Sequence, residues 1–150
     1  MRFMMIMLPN VPNIDEESWT PDAEAVGAMS KYNEELTKAG VLLALDGLQP
    51  PTKGARVSFA GGKASVTDGP FAEAKELIGG YWIIQVRSKE EAVEWAKRIP
   101  FSTEVHPGEQ VEVEIRQIME LEDLPVSPER VAAKKQLEQR AAQAFNARQK

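Results

Sequence analysis

A chain of 150 residues, 43% hydrophobic and 27% charged, is sized for one soluble domain burying about two-thirds of its unfolded surface. It has no cysteine, which excludes disulfides and thiolate chemistry, and its single histidine, His106, would leave a zinc site resting on carboxylates. Net charge is −5 and uneven: residues 1–127 carry twelve basic and twenty-one acidic groups, whereas residues 128–150 carry six and two. An acidic body argues against binding a nucleic-acid backbone, and the basic tail reads first as a solvated helix face.

Residues 3–8 are continuously apolar, as suits a strand covered on both faces. The run is shorter than the roughly 7–15 residues of an export-signal core. No segment reaches the roughly 18–20 apolar residues of a membrane span, so a cytoplasmic protein with no membrane partner is expected. Thr20 is placed to cap a helix over 21–39, with Pro21 at its first position and Asp22 and Glu24 near the positive end of its dipole. Val26, Met29, Asn33 and Leu36 recur at helical spacing, and Gly40 ends the run.

A second strand is expected over 41–48, broken by Gly47 and by Pro50-Pro51. With Gly61-Gly62 as a two-residue turn, Phe59 faces Ala64 and Val57 faces Val66 on one side of a hairpin. Arg56, Ser58, Lys63, Ser65 and Thr67 then occupy the other side. After an Asp68-Gly69-Pro70-Phe71 bend, a short helix over 72–78 is expected to stop at Gly79-Gly80, and a strand follows over 81–86. Ser88 with Glu91 forms a capping box ahead of a helix presenting Ala92, Trp95, Ala96 and Ile99, which Pro100 ends. Val111, Val113 and Ile115 alternate with Glu112, Glu114 and Arg116 in a half-buried strand.

Setting the hairpin aside leaves βαββαβ, a ferredoxin-like α+β arrangement with helices on one face of an antiparallel sheet. The other face needs a cover, and a second copy is the economical one, so a homodimer is expected. The expected organisation is a domain over 1–120 and a hinge with a basic helical tail over 121–150. In that tail Ala133, Leu137, Ala141 and Phe145 form a stripe too narrow for a substantial core.

Asp68 leads the chemical candidates, as an acid or base beside a constrained turn and the aromatics Phe71, Tyr81 and Trp82. An aspartate before Gly-Pro also commonly serves only the turn itself. Asp46 is a second acid that converges on the same cavity or serves the turn at Gly47. Gly69, Pro70, Phe71, Tyr81 and Trp82 complete the expected ligand-binding set. Glu73, Lys75 and His106 read as solvent-facing, and Met4, Met5 and Met7 as core. No phosphate-cradling glycine loop opens a long helix and no nucleophile elbow occurs, so no cofactor or metal is expected.

Several segments together resemble the YCII-related family, in the branch named for its Asp-Gly-Pro-Phe motif. They are Tyr32-Asn33-Glu34-Glu35-Leu36, Asp46-Gly47-Leu48-Gln49-Pro50, Val66-Thr67-Asp68-Gly69-Pro70-Phe71-Ala72-Glu73, Gly79-Gly80-Tyr81-Trp82 and Glu91-Ala92-Val93-Glu94-Trp95-Ala96. The resemblance covers most of residues 1–120 and implies a dimeric α+β barrel. It also implies a histidine–aspartate pair, the histidine standing about three turns before the glycine that ends the first helix. Counted back from Gly40 that position falls near Met29, and residues 20–40 hold no histidine, so that role does not carry over. Two functions follow as expectations. One is a small-molecule cavity near the bend where Asp68 moves a proton in a lyase- or isomerase-type step. The other is a non-catalytic accessory protein of an extracytoplasmic-function sigma factor, a setting in which similar proteins are encoded.

Overall fold

The computed structural model describes residues 1–9, 19–71, 77–101 and 111–149. Its first compact unit, Met1–Gln117, contains strands β1 (Arg2–Pro9), β2 (Leu42–Gly47), β3 (Ala55–Ala60), β4 (Lys63–Asp68), β5 (Gly80–Gln85) and β6 (Val111–Gln117). Helix α1 (Ala23–Lys38) joins β1 to β2, and helix α2 (Lys89–Lys97) joins β5 to β6. The main sheet has the order β2-β5-β1-β6, antiparallel at every pairing, and β3 pairs with β4 in a separate two-stranded sheet. This is the ferredoxin-like α+β order with a hairpin inserted between its second and third strands.

Strand pleat divides the main sheet into two unlike faces, because successive side chains point to opposite sides. Phe3 and Met5 of β1 and Trp82 and Ile84 of β5 are buried with Tyr32 and Leu36 of α1 and Ala92 of α2. Val113 and Ile115 of β6 and Leu45 of β2 pack on the same cluster. Each such large apolar side chain stabilises the fold by about 1.5–3 kcal/mol when fully buried. The even-numbered residues of β1 (Met4, Ile6 and Leu8) lie on the outer face and are only half-buried. The apolar run therefore has one dry face in the protomer rather than the two its composition suggests.

The helix starts hold one correction. Asp22, not Thr20, caps α1: its carboxylate oxygen accepts from the Ala25 amide at 2.8 Å. An anion three residues before a free amide satisfies that donor and complements the helix dipole, so the helix begins after Pro21 rather than at it. Val26 stays 49% exposed, and the buried positions of α1 are Tyr32 and Leu36. Ser88 caps α2 as expected, accepting from the Glu91 amide at 3.1 Å, while the Glu91 carboxylate reaches one residue further back to the Arg87 amide at 2.9 Å.

Hairpin register follows the expected pattern residue for residue, with Val57 opposite Val66 and Phe59 opposite Ala64. Gly61 and Gly62 turn it at φ of 57° and 76°, a backbone region open to glycine and strained for other residues. On the edge strand β2 the pairing with β5 slips between Leu42 and Ala44, a local bulge. Of the short helix expected over 72–78, residues 72–76 lie outside the described residues, and Leu77 and Ile78 carry no regular structure.

The second compact unit, Ile118–Lys150, opens with a 3-10 turn at Leu121–Asp123, where the Glu120 amide donates to the Asp123 carboxylate at 2.8 Å. Helix α3 (Pro128–Arg148) follows, and none of its described residues is buried. Leu137 and Phe145 are each 63% exposed.

The aromatic residues of the core bring their own polar groups, and each has a partner. Trp82 donates its indole N–H to the Asn33 side-chain oxygen at 2.8 Å, and Tyr32 donates its hydroxyl to the Trp95 carbonyl at 2.8 Å. The two rings meet edge to face at 6.0 Å. Burial, the largest influence, pushes the Tyr32 phenol up to about 12, with Glu35 acting in the same sense and Arg98 against it. Between the ordinary tyrosine value and about 12 the unfolded chain loses this proton while the folded chain keeps it, so stability falls as pH rises through that window. Tyr32→Phe is expected to cost roughly 0.5–1.5 kcal/mol at neutral pH and to flatten the decline above pH ~10, as read by urea denaturation at a series of pH values.

Candidate functional site

The outer face of the main sheet is built in rows that run across its strands. Register aligns Asp46 of β2, Tyr81 of β5, Ile6 of β1 and Glu114 of β6 in one row. The next row holds Ala44, Ile83, Met4 and Arg116, and beyond Ile6 along β1, Leu8 stands opposite Glu112. With strands about 4.8 Å apart, four of them make a strip on the order of 19 Å wide. Its middle is apolar and its two edges are charged.

Within this strip the Tyr81 hydroxyl donates to the Asp46 carboxylate at 2.9 Å. That hydrogen bond, with the carboxylate's negative charge behind it, holds the Tyr81 phenol above the usual tyrosine range. The pair offers a ligand one oriented phenol and one carboxylate oxygen beside half-buried Ile6 and Ile83. Chemically this is a polar anchor at the margin of an apolar surface. Tyr81 and Asp46, both expected in the site, are thus brought together.

Trp82 is not with them. It is 5% exposed on the helix-covered face, bonded to Asn33, so the pleat separates it from its neighbour Tyr81. The aromatic pair expected beside Asp68 is divided between the two sides of the sheet. Met29 is half-buried against the core.

Asp68 ends β4, exposed to solvent and opposite Ala55. Gly69 donates its amide to the Gly54 carbonyl at 3.0 Å, and the Gly69–Pro70 peptide is cis. Phe71 folds back beneath the Arg56 guanidinium, 4.1 Å from its ring centre, a contact worth about 0.5–1 kcal/mol at an exposed site. Arg56, expected only on the polar side of the hairpin, thus also packs on the bend from β3. At Gly69 a side chain has no room, because an added Cβ would overlap the Pro51 carbonyl oxygen and sit 2.6 Å from its carbon. Pro51 lies four residues after the end of β2, so the bend and the Asp46–Tyr81 pair belong to the same end of the sheet. Glu73, Lys75 and His106 lie outside the described residues.

Elsewhere, an open depression of about 530 Å³ is lined by Met1, Ala39, Val41, Gln85, Val86, Arg87 and Glu91. It sits where β1 begins and β5 ends, at the opposite end of the sheet from the bend, and no local motif marks it. Among the described residues no three of His, Cys, Asp and Glu cluster as a metal site would require, and no helix is long and apolar enough to cross a membrane.

A four-stranded antiparallel sheet in this order, with two helices on one face and an acid–phenol pair on the other, defines a ferredoxin-like α+β protein. The sequence matches the profile of the YCII-related domain over residues 1–121, and the chain belongs to that family. It is also 33% identical over 76 residues to an uncharacterised protein of Rhizobium meliloti (strain 1021), an alignment covering 51% of this chain and 61% of that relative. The match therefore spans about three-fifths of the relative's length.

Two outcomes check this geometry. Asp46→Asn is expected to move the Tyr81 phenol ionisation to lower pH in a titration followed at 295 nm, leaving that of Tyr32 in place. Gly69→Ala is expected to lower stability by about 1–3 kcal/mol in urea denaturation, the usual cost of overfilling a closed contact.

Proposed function

We propose that this YCII-related chain acts in the cytoplasm as a homodimer whose two outer sheet faces enclose a small-molecule site. The Asp46–Tyr81 pair is its polar anchor, and the Asp-Gly-Pro-Phe bend that names one branch of the family forms its rim. The observation that carries this reading is the 2.9 Å hydrogen bond from Tyr81 to Asp46 beside a strip of half-buried Met4, Ile6, Leu8 and Ile83. A half-buried apolar sheet face supports closure by a second copy, and an acid held by a phenol supports recognition of a small, aromatic ligand with a donor group. Exposed Asp68 is the acid assigned to proton transfer in a lyase- or isomerase-type step.

Light scattering coupled to size exclusion is expected to return a dimer, and a stable monomer at roughly 100 μM would overturn the enclosed site. A panel of substituted phenols and anilines, followed by saturation-transfer NMR, is expected to give binders that Asp46→Asn weakens. Asp68→Asn is expected to leave that binding intact and to slow turnover of a compound from the panel by about 10²–10⁴-fold. Unchanged turnover would remove Asp68 from the chemistry.

A second reading has its own observation. Helix α3 exposes Leu137 and Phe145 within a segment carrying six basic and two acidic residues. It is a docking element for an extracytoplasmic-function sigma factor in the accessory-protein reading. Truncation after Ser127 is then expected to abolish co-purification of such a factor, and undiminished co-purification would exclude α3 as the contact.

A further inference from the structure

The β3–β4 hairpin is two-sided in a way that a solvated connector does not require. Val57, Phe59 and Val66 share one side with Ala64 and are 53%, 82% and 68% exposed. Arg56, Ser58, Ser65 and Thr67 pair on the other side. A two-stranded hairpin is marginal in water unless its apolar side packs on something. The outer face of the main sheet has the same need, with Met4, Ile6, Leu8 and Ile83 half-buried. Among the described residues, one chain thus carries two apolar surfaces, the first exposed and the second half-buried.

We propose that the hairpin is an arm that lies on the outer sheet face of a second copy, so that Phe59 and Val66 of one protomer wall the space above Ile6 and Ile83 of the other. This rests on the homodimer of the preceding subsection and says how that dimer is held and what closes its site. Area favours it. Four strands about 4.8 Å apart and about 20 Å long present a flat footprint of roughly 400 Å², half of the ~800 Å² that each partner of a standard interface buries. The hairpin, two strands of the same length, adds roughly 200 Å² and brings the flat footprint of each protomer to ~600 Å², nearer the ~800 Å² of a standard interface. The arms thus enlarge the footprint offered by the sheet faces by about half. The bound small molecule would then meet Phe59 of one chain and the Asp46–Tyr81 pair of either chain in a cavity neither copy forms alone.

Sedimentation equilibrium on the full chain tests the arm. Phe59→Asp is expected to raise the dimer dissociation constant at least about tenfold, with an unchanged circular dichroism spectrum because Phe59 is already exposed in the protomer. Val66→Lys is expected to repeat the effect from the facing strand, and Ser58→Asp, on the polar side, to leave the constant as it was. The absence of cysteine allows a direct check: Phe59→Cys chains mixed with Ile6→Cys chains are expected to be bridged by a short bismaleimide. A wild-type dimer that Ile6→Asp dissociates but Phe59→Asp and Val66→Lys do not would overturn the arm and keep the enclosed site. A wild-type monomer would overturn both, and dissociation by Phe59→Asp without bridging to Ile6→Cys would place the arm somewhere other than the sheet face.

Discussion

The two-residue repeat of β1 and β5 is the constraint on which the molecule depends, because it decides what each central side chain can reach. On one side it commits Phe3, Met5, Trp82 and Ile84 to a core shared with α1 and α2. On the other it lines up Met4, Ile6 and Ile83 beside Tyr81. A shift of one residue would send Trp82 to solvent and Tyr81 to the interior, breaking the bond to Asn33 and the bond to Asp46 together. The antiparallel pairing of β1 with both β5 and β6 fixes that register from two directions.

Polar groups on aromatic rings tie the core's geometry to its burial. A buried indole or phenol left without a partner costs about 1–3 kcal/mol, comparable with what a large apolar side chain contributes. Here Asn33 of α1 meets Trp82 of the sheet, and Tyr32 of α1 meets the backbone of α2. Each bond joins two elements, so helix placement is set by directional contacts as well as by packing. Adjacent residues on α1 thus serve the core through different neighbours.

How legible each part was in the sequence tracks how local its physics is. The hairpin could be read pair by pair because Gly61-Gly62 admits one turn and the turn sets every later pairing. The order of strands and helices was legible from periodicity and caps. The start of α1 was not, since Thr20 and Asp22 both suit a cap and the choice falls to whichever side chain meets a free amide. Even less visible was the division of Tyr81 from Trp82. A β-rich segment with aromatics at successive positions does not say which one faces the helices; that depends on Asn33, forty-nine residues away. The bond between Asp46 and Tyr81 has the same origin, a register between strands that no local pattern encodes. At the bend, Gly69 was visible as a turn residue, but the pressure of Pro51 against it was not.

The slip in pairing between Leu42 and Ala44 bears on how the chain avoids joining its neighbours in the wrong way. β2 and β6 form the two borders of the main sheet, and a straight border strand offers a row of free amides and carbonyls to any passing strand. The bulge interrupts that row on β2, and on β6 the alternating Glu112, Glu114 and Arg116 make an uncharged approach costly. Lateral growth into open-ended ribbons is thereby discouraged at both margins, leaving association to proceed through the faces.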